Sequence, residues 1–243
     1  MAAFREGEGR APIELHSLHL RDGLHIPDSM LSMTEKKRAA AFRSSAARRL
    51  FVAGRVLCRG IIGNMVGCAP QALSLAITPS GRPYLCDYPE IDFNLSHSGD
   101  RLALAVCHGG RVGIDIERLD AFSEEIAFEI MPQILSDQEL DRVQRLAAEE
   151  RRTVLLSYWV RKEAALKCLG EGFLANPQTV TLDPDGTTSS VEAPPLGEPI
   201  AIRSGCFDGE ESQHFHWAVA TSNATTELLW RHHAERDFLT RFL

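Results

Sequence analysis

Apolar and polar positions along the chain follow a helical period in some segments and a strand period in others. Residues 151–169 carry apolar side chains nearly all round a helix, which is typical of a helix buried on most sides. In the first half, a capping Thr34 with Glu35 in the first turn predicts one helix to about Met65. Apolar and β-branched runs predict strands at 13–20, 72–77, 91–95, 101–107 and 112–117, the last three as an antiparallel meander.

Two shorter helices are predicted before the long helix of the second half. One covers 123–130, and the other begins at the capping box S-D-Q-E and covers 136–148. Gly170 is expected to end the long helix, because glycine readily adopts the left-handed conformation after a last turn. Further strands are predicted at 178–182, 199–203, 214–221 and 226–230, followed by a short helix or tail at 231–243.

Each half of the chain therefore contains a long helix followed by several strands. This order predicts an α+β fold and is compatible with two similar α+β subdomains in one chain. We place the N-terminal subdomain at 12–114 and the C-terminal one at 115–243, after a disordered tail at 1–11. A site that draws residues from both halves would lie between the subdomains, where ligand sites are common.

Composition and charge remove several functional classes. The 243 residues carry a net charge of −7, which argues against a general nucleic-acid binder. The six cysteines form no C-x-x-C pair, so we expect reduced thiols rather than disulfides or a zinc site. The first ten residues have no apolar segment typical of a secretory signal, and no stretch is long enough to span a membrane, so we expect a cytoplasmic protein.

The segment VGIDIE places two carboxylates, Asp115 and Glu117, two residues apart on a predicted strand. Both side chains then point to the same face, where they repel each other and raise each other's pKa unless a cation lies between them. A divalent metal with oxygen ligands would resolve this repulsion. A strand edge whose acidic side chains face water explains the same pattern, so both interpretations stay open from these residues alone.

Glu163 and Lys167 lie four residues apart on the apolar helix, with Trp159 one turn earlier. An ordinary ion pair between neighbouring turns is one explanation. A carboxylate on a mostly buried helix is costly unless it has a strong partner, and a metal or a bound phosphate would supply one.

Basic and polar residues form a third group of candidates. Arg82 lies in the turn 80–83, and the segment 96–99 (SHSG) offers hydroxyls, an imidazole and backbone N–H groups to an anion, although both segments could be ordinary polar turns. The first long helix is either a solvated basic face or an anion-binding wall. Its basic residues are Lys36, Lys37, Arg38, Arg43, Arg48, Arg49, Arg55 and Arg59.

Three segments, FNLSHSG, VGIDIE and WVRKEAALK, resemble in order and spacing the motifs of the 4′-phosphopantetheinyl transferase superfamily, of the surfactin-synthetase-activator type. The family pattern, roughly F-N-[IL]-S-H-[ST], [VI]-G-[IV]-D-[IV]-E and W-x-x-K-E-[AS]-x-x-K, is matched at every key position. The Gly81-Arg82-Pro83 turn and the basic helix match more loosely. The resemblance implies a pseudo-dimeric fold in one chain, with the active site between its two subdomains.

The resemblance also implies a reaction. The family moves the 4′-phosphopantetheine group of coenzyme A (CoA) to a serine of an apo carrier protein, and releases adenosine 3′,5′-bisphosphate. Mg²⁺ is the implied metal, with Mn²⁺ as a possible substitute. The implied partners are acyl or peptidyl carrier proteins of fatty-acid, polyketide or nonribosomal-peptide synthesis. We further expect a monomer whose carrier docks on an apolar and basic surface near residues 118–150.

The roles of individual residues follow from the same resemblance. Glu163 is the implied base, and Lys167 the implied cation beside the leaving phosphate. The implied metal ligands are Asp115, Glu117 and Glu163. The implied CoA-binding residues are Lys36, Arg38, Arg48, Arg49, Arg82, Ser96, His97, Lys162 and Lys167, of which Ser96 and His97 would meet the 3′-phosphate.

Two other functions use the same residues. A metal-dependent phosphatase or nucleotidyl transferase would need the same carboxylates and basic pocket, but it would release phosphate or transfer a nucleotide instead of modifying a carrier serine. A non-catalytic CoA-binding module would keep the pocket, although the intact Asp115, Glu117, Glu163 and Lys167 argue against it. A structural protein with accidental motifs is a third alternative.

Overall fold

The computed structural model describes residues 11–20, 26–120, 123–170, 176–182, 188–191, 200–208, 214–222, 227–234 and 238. The predicted tail at 1–11 lies outside the described residues except for residue 11, as does most of the segment after 234. None of the helices in the described ranges is long and apolar enough to cross a membrane. All six cysteines are free thiols, as the sequence predicts.

Five helices and ten strands make up the described part of the chain. The helices are α1 (Met33–Ala40), α2 (Ser45–Val66), α3 (Glu124–Ile134), α4 (Asp137–Gln144) and α5 (Ala148–Leu169). The strands are β1 (Ile13–His19), β2 (Leu75–Ile77), β3 (Pro83–Leu85), β4 (Ile91–Ser98), β5 (Arg101–His108), β6 (Val112–Arg118), β7 (Thr188–Val191), β8 (Ile200–Asp208), β9 (His214–Thr221) and β10 (Leu228–Ala234).

Two four-stranded sheets share one topology. The first contains β1, β5 and β4 in that order, and the second contains β6, β9 and β8 in that order, with antiparallel neighbours throughout. In each triplet the long helix, α2 or α5, connects the first strand to the other two. Strand β10 adds to β1 in parallel, and β7 adds to β8. This repeat confirms the α+β fold and is consistent with two similar subdomains.

Strand β6 does not complete the meander that the sequence predicts. Its backbone partner is β9, about one hundred residues later, and it forms one edge of the second sheet. The predicted boundary between residues 114 and 115 therefore falls inside β6, and the division into subdomains stays a prediction. The segment 178–182, predicted as a strand, instead contains a 3-10 turn at Pro177–Thr179.

The single helix predicted from Thr34 onward is two helices. Ser32 caps α1 in a capping box with Glu35, and Ser44 caps α2 by accepting a hydrogen bond from the backbone N–H of Ala47 at 3.3 Å. A serine hydroxyl that binds the backbone ahead of it satisfies the open N–H groups of a new helix start and so favours a break there. The second serine therefore separates the two helices.

Helix α2 packs on the first sheet and α5 on the second, while a third apolar cluster fills the space between the sheets. Gly113 of β6 sets how closely α5 approaches. A Cβ at this position would lie 2.1 Å from the carbonyl oxygen of Ala164 and 2.4 Å from the backbone nitrogen of Cys168. Glycine at this point lets the helix lie against the strand that carries Asp115.

Candidate active site

Side chains of β4 connect the first sheet to the open edge of β6. Residues 92, 94, 96 and 98 share one face of β4, because side chains alternate along a strand. Three of them accept hydrogen bonds from backbone N–H groups of β6: Asp92 from Val112 (2.7 Å), Asn94 from Ile114 (3.1 Å) and Ser98 from Arg118 (3.0 Å). The site lies at this junction between the two halves of the chain.

Asp115 is the most buried of the predicted metal ligands, with 4% of its surface exposed. Its Oδ1 accepts hydrogen bonds from the Nζ of Lys167 at 2.5 Å and from the hydroxyl of Ser96 at 2.7 Å. Its Oδ2 is buried and has no hydrogen-bond partner. A buried carboxylate oxygen without a partner is costly, so a cation at this oxygen would stabilise it.

Lys167 reaches Asp115 from the last turn of α5. Its Nζ also lies 3.2 Å from the hydroxyl oxygen of Ser96 and 3.3 Å from the carbonyl oxygen of Ile114. Because Ser96 contacts both Asp115 and Lys167, it holds the two charged groups together. The sequence predicts Ser96 in a polar turn, but the structure places it within β4, and the turn begins at Gly99.

Glu117 and Glu163 are two further carboxylates close to Asp115. Burial raises the pKa of Glu117, and the hydroxyl of Ser98, which donates to its Oε2 at 2.5 Å, partly offsets this effect. Burial also raises the pKa of Glu163, the nearby Lys167 lowers it, and Asp115 raises it further. These effects show that the negative charges face one another with one lysine among them.

A cavity of about 570 Å³, a size typical of small-molecule sites, reaches these residues only through His97, because neither the three carboxylates nor Lys167 line it. His97 is on its wall, exposed, and its pKa is lowered by partial burial of the ring and by the charge of Lys167, while Asp115 raises it. Arg38 and Arg55 also line the cavity, and both lie over the ring of Phe51, at 5.2 Å and 5.6 Å from its centroid. The cavity thus combines an aromatic floor with cations.

The resemblance leaves open which of Arg48, Arg49 and Arg55 takes the family's arginine role, and of these three Arg55 lies on the wall of this cavity. Asn94 also lines the cavity and is not predicted as a CoA ligand. For Arg55 the available signal is its position four residues after Phe51, which puts both on one face of α2. Glu35 lies beside it, at 3.5 Å. For Asn94 no local pattern exists, because its role depends on the distant β6.

The other predicted CoA-binding cations lie at different distances from this cavity. Lys36 pairs with Asp28 at 3.7 Å on the partly exposed side of α1. Arg48 is exposed on α2, while Arg49 lines an adjacent cavity of about 440 Å³. None of these three is on the wall of the cavity that contains His97.

Lys162 is not brought to the site. Its side chain is fully buried, and its Nζ lies 2.6 Å from Glu139 Oε2 and donates to the carbonyl oxygen of Pro177 at 3.1 Å. Glu139 is also the glutamate of the predicted capping box at Ser136. This lysine therefore ties α5 to the start of α4, with no surface left for a phosphate.

The Arg82 side chain also points into the protein and does not line the cavity that contains His97. Only 8% of its surface is exposed, and its guanidinium donates to Asp92, to the carbonyl oxygen of Lys167 and, at 2.8 Å, to the carbonyl oxygen of Val112. Burial lowers its pKa, and the charge of Asp92 counteracts this. Its donors are used within the protein.

The acidic residues fit a metal only in combination with a ligand. Among the described residues, no three His, Cys, Asp or Glu side chains are grouped so that they could hold a metal by themselves. Mg²⁺, however, is usually bound by one or two carboxylates together with substrate phosphates and water. The unpartnered oxygen of Asp115, with Glu117 on the same face of β6, provides such a partial set of hard oxygen ligands.

These features define a class of protein: one with a cavity in its first half that is lined by arginines and a histidine, and with a group of carboxylates and one lysine, held at the junction of the two halves, close to that histidine. Comparison with known families makes the class specific. The family described as 4′-phosphopantetheinyl transferase superfamily matches residues 111–221, and the one described as 4′-phosphopantetheinyl transferase, N-terminal, matches residues 21–109. The chain belongs to the 4′-phosphopantetheinyl transferase superfamily.

Individual relatives support this assignment. A 4′-phosphopantetheinyl transferase of Bacillus subtilis is 31% identical over 180 residues, which are 73% of this chain and 75% of the relative. The 4′-phosphopantetheinyl transferase HetI of a Nostoc species is 33% identical over 58% of this chain and 60% of its own length. The L-aminoadipate-semialdehyde dehydrogenase-phosphopantetheinyl transferase of Xenopus laevis is 27% identical over 65% of this chain and 55% of its own length. The chain thus spans less than two thirds of the latter two relatives.

Proposed function

We propose that this protein transfers the 4′-phosphopantetheine group of CoA to a serine of an apo carrier protein. Its products are the holo carrier and adenosine 3′,5′-bisphosphate. The observation that carries the proposal is the meeting of Asp115, Glu163 and Lys167 beside a cation-lined cavity. Membership of the superfamily supports the same reaction.

Glu163 is the proposed base. The carrier serine oxygen forms a bond to the phosphorus that bears the pantetheine arm, and the bond from that phosphorus to the bridging pyrophosphate oxygen breaks. The serine proton passes to the carboxylate of Glu163, which lies one helical turn before Lys167 on α5. Lys167, which lies next to Glu163, stabilises the negative charge that grows on the leaving oxygen.

Asp115, Glu117 and Glu163 are the proposed Mg²⁺ ligands, and Mn²⁺ would suit the same oxygen atoms. When bound, the metal neutralises charge on the pyrophosphate. Asp115 supports this role because its Oδ2 is buried without a partner, and Glu117 because its carboxylate faces the same side. The second carboxylate oxygen of Asp115 is already held by Lys167 and Ser96, so the free oxygen has a fixed direction.

The nucleotide part of CoA is proposed to occupy the cavity beside His97. Arg38 and His97 are the predicted phosphate-binding residues on its wall, and Arg55 adds a second guanidinium group. Three further basic residues stay candidates for binding a phosphate of CoA. They are Lys36 on α1 and Arg48 and Arg49 near the start of α2. Ser96 is proposed to act through Asp115 and Lys167 instead of touching the 3′-phosphate. Lys162 is buried against Glu139 and has no part in the proposed pocket.

The carrier is proposed to dock on α3 and the start of α5. Phe128 is 66% exposed and Ile126 48% exposed, although both are large and apolar. Phe128 borders a cavity of about 460 Å³ that is lined by Arg151 and Arg152 and also by Glu125 and Glu129. The surface is therefore apolar with charges of both signs, and its exposed apolar side chains support the proposed docking. We further propose that the protein acts in the cytoplasm as a monomer.

Incubation with CoA, Mg²⁺ and a panel of apo carrier proteins tests this proposal. The carriers should gain the mass of phosphopantetheine, as measured on intact protein. A metal-dependent phosphatase would release phosphate and leave the carriers unchanged, and a binding module would change neither CoA nor carrier. A panel that a known transferase modifies, and that this protein leaves unmodified, would count against the proposal.

A further inference from the structure

We propose that Arg82 and Asp92 are positioning residues for Lys167. They hold the C-terminal end of α5 in place through hydrogen bonds and do not bind a phosphate of CoA. This inference rests on the proposed function, since it concerns how the catalytic lysine is held. It differs from the role that the Gly81-Arg82-Pro83 turn suggests in the sequence, where an arginine at a loop tip is expected to meet the ligand.

The direction of the Arg82 side chain is the first argument. Gly81 and Pro83, its two neighbours, line the cavity beside His97, but Arg82 does not. The turn itself is fixed, because Thr78 binds the backbone N–H of Arg82 through its hydroxyl at 3.0 Å, and Gly81 adopts a φ of 88°. The backbone therefore borders the ligand space while the guanidinium points into the protein.

The atoms that the guanidinium contacts are the second argument. The carbonyl oxygens in the last turn of a helix have no partner within the helix. Arg82 donates to one of these, the carbonyl oxygen of Lys167, while the C-cap Gly170 donates to that of Leu166 at 3.0 Å. A cation at this end also interacts favourably with the helix dipole. Arg82 thus fixes the backbone of the residue whose side chain reaches Asp115.

Asp92, on β4, holds Arg82 in place. Its Oδ2 accepts from Arg82 and also from the backbone N–H of Val112, at 2.7 Å. Val112 belongs to β6, the strand of Asp115, so the Asp92 carboxylate links the arginine to β6, while the arginine itself contacts α5. A buried arginine needs a paired carboxylate, because an uncompensated charge in the interior is strongly destabilising. Asp92 is therefore required for Arg82 to stay in place.

The consequence is a fixed distance between the two charged groups of the site. Lys167 and Asp115 come from different elements, yet their side chains meet at 2.5 Å. The Arg82–Asp92 pair connects the backbones of those elements, since it contacts Lys167 on α5 and Val112 on β6. Loss of the pair allows the end of α5 to move relative to β6, and a displacement of about 1 Å at reacting groups can cost on the order of 100-fold in rate.

The experiment compares Arg82→Gln, Arg82→Lys and Asp92→Asn with Arg231→Gln as the matched control, since Arg231 is a half-exposed arginine that pairs with Glu14 far from the site. Three quantities are measured: kcat and KM for CoA in the transfer reaction, the Kd for adenosine 3′,5′-bisphosphate by calorimetry, and the Tm without ligand. The Kd and the Tm do not require turnover.

The positioning role predicts that Arg82→Gln lowers kcat at least tenfold and lowers the Tm, while KM for CoA and the Kd change less than twofold. Arg82→Lys keeps the charge and should recover part of the kcat. Asp92→Asn leaves Arg82 without its charged partner and should also lower kcat, and it decides the question if Arg82→Gln does not fold. Arg231→Gln should leave kcat and Kd unchanged.

If Arg82 binds a phosphate of CoA, Arg82→Gln should raise the Kd for the bisphosphate and the KM for CoA tenfold and leave kcat at saturating CoA intact. Asp92→Asn should then be fully active. That result would overturn the inference. If the wild-type protein binds the bisphosphate but transfers nothing, the proposed function is wrong. In that case a lowered Tm with an unchanged Kd for the bisphosphate in Arg82→Gln still supports the positioning of α5 by Arg82. A raised Kd with an unchanged Tm contradicts it.

Discussion

Single residues of the site are held in states that cost stability. Burial raises the pKa values of Glu117 and Glu163, which means that the folded protein disfavours their charged forms. Asp115 adds repulsion and leaves one buried oxygen without a partner. Such costs are common where a site is prepared for a ligand, because the ligand supplies the missing interaction.

Glu163→Gln is the most informative substitution at this scale. It removes the base and one carboxylate, so kcat should fall by about 100-fold or more. Because the change also removes a partly buried negative charge that faces Asp115, the Tm of the ligand-free variant should equal or exceed that of the wild type. Transfer assays and differential scanning calorimetry measure the two effects. Near-full activity of this variant would contradict both proposed roles of Glu163.

Gly113→Ala tests the close approach of α5 to β6. The added Cβ would lie 2.1 Å from the carbonyl oxygen of Ala164, which is backbone and cannot move aside without shifting the helix. The free energy of unfolding should fall by about 3 kcal/mol. Ile114→Val, which only removes one methyl group from the next residue, should cost about 1 kcal/mol and serves as the control. Equal losses in urea unfolding would contradict the packing argument.

The sequence predicts short-range features of the site better than side-chain directions. Spacing places Asp115 with Glu117 on one face of a strand and Glu163 with Lys167 on one face of a helix, and the resemblance of the three motifs implies their roles. Lys162 lies in the same motif, yet it points into the core. The direction of such a long side chain is decided by a partner distant in the sequence, such as Glu139.

At the scale of elements, the parallel pairing of β10 with β1 joins the end of the described chain to its start. Side chains reinforce this pairing in three places. They are His16 Nδ1 with His233 Nε2 at 3.0 Å, Ser17 Oγ with His232 Nδ1 at 2.6 Å, and Glu14 Oε2 with Arg231 Nε at 3.5 Å. The edge of the first sheet is therefore covered by a strand from the second half.

Glu14→Gln tests, through its pH dependence, the interactions of Glu14 with His16 on the same strand and with Arg231 on β10. The hydrogen bond with His16 is the largest effect that lowers the pKa of Glu14 from its usual 4.5, and Arg231 contributes to it. A carboxylate with a depressed folded-state pKa stabilises the fold above pH 4.5, and this contribution is lost as the pH falls through the folded-state pKa. The variant should thus have a lower Tm than the wild type at pH 7, and the difference should shrink progressively below pH 4.5.

Glu90→Gln is the control for this measurement, because Glu90 is an exposed glutamate outside the pairing of β1 and β10. Its Tm should follow that of the wild type across the pH range. A Tm difference for Glu14→Gln that stays constant down to acidic pH would show that the charge of Glu14 does not stabilise the fold through His16 and Arg231.

Element boundaries were predicted well where a local signal exists. The capping box at Ser136, the cap at Ser123 and the glycine end at Gly170 all appear as expected. The pairing of β6 with β9 was not predictable, because alternation reports which face of a strand is buried and says nothing about its neighbour. The break before Ser44 was missed because the basic residues continue through it.

At the scale of the whole molecule, the two similar halves contribute unequal parts to one site. The second half supplies β6 and α5 with the carboxylates and the lysine, while the first half supplies β4, α2 and the cavity. A carrier must approach from a side that leaves this cavity open to CoA. The exposed apolar surface of α3 is the proposed approach.

Phe128→Ser tests that approach. Large apolar residues at the centre of an interface often contribute more than 1.4 kcal/mol, so KM for the carrier should rise by about tenfold or more. KM for CoA should stay the same, because Phe128 is not on the wall of the cavity beside His97. Leu229→Ser, an exposed apolar residue on β10, is the matched control and should change neither constant. An unchanged KM for the carrier in Phe128→Ser would show that the carrier does not dock on the surface around Phe128.

The most direct test of the central claim follows both products of one reaction. The wild-type protein, CoA, Mg²⁺ and an apo carrier are mixed, and the holo carrier is counted by intact mass while adenosine 3′,5′-bisphosphate is counted by chromatography. We expect the two products to appear in equal amounts, and neither to appear with Asp115→Ala. Consumption of CoA without a modified carrier serine, or full transfer by Asp115→Ala, would contradict the account.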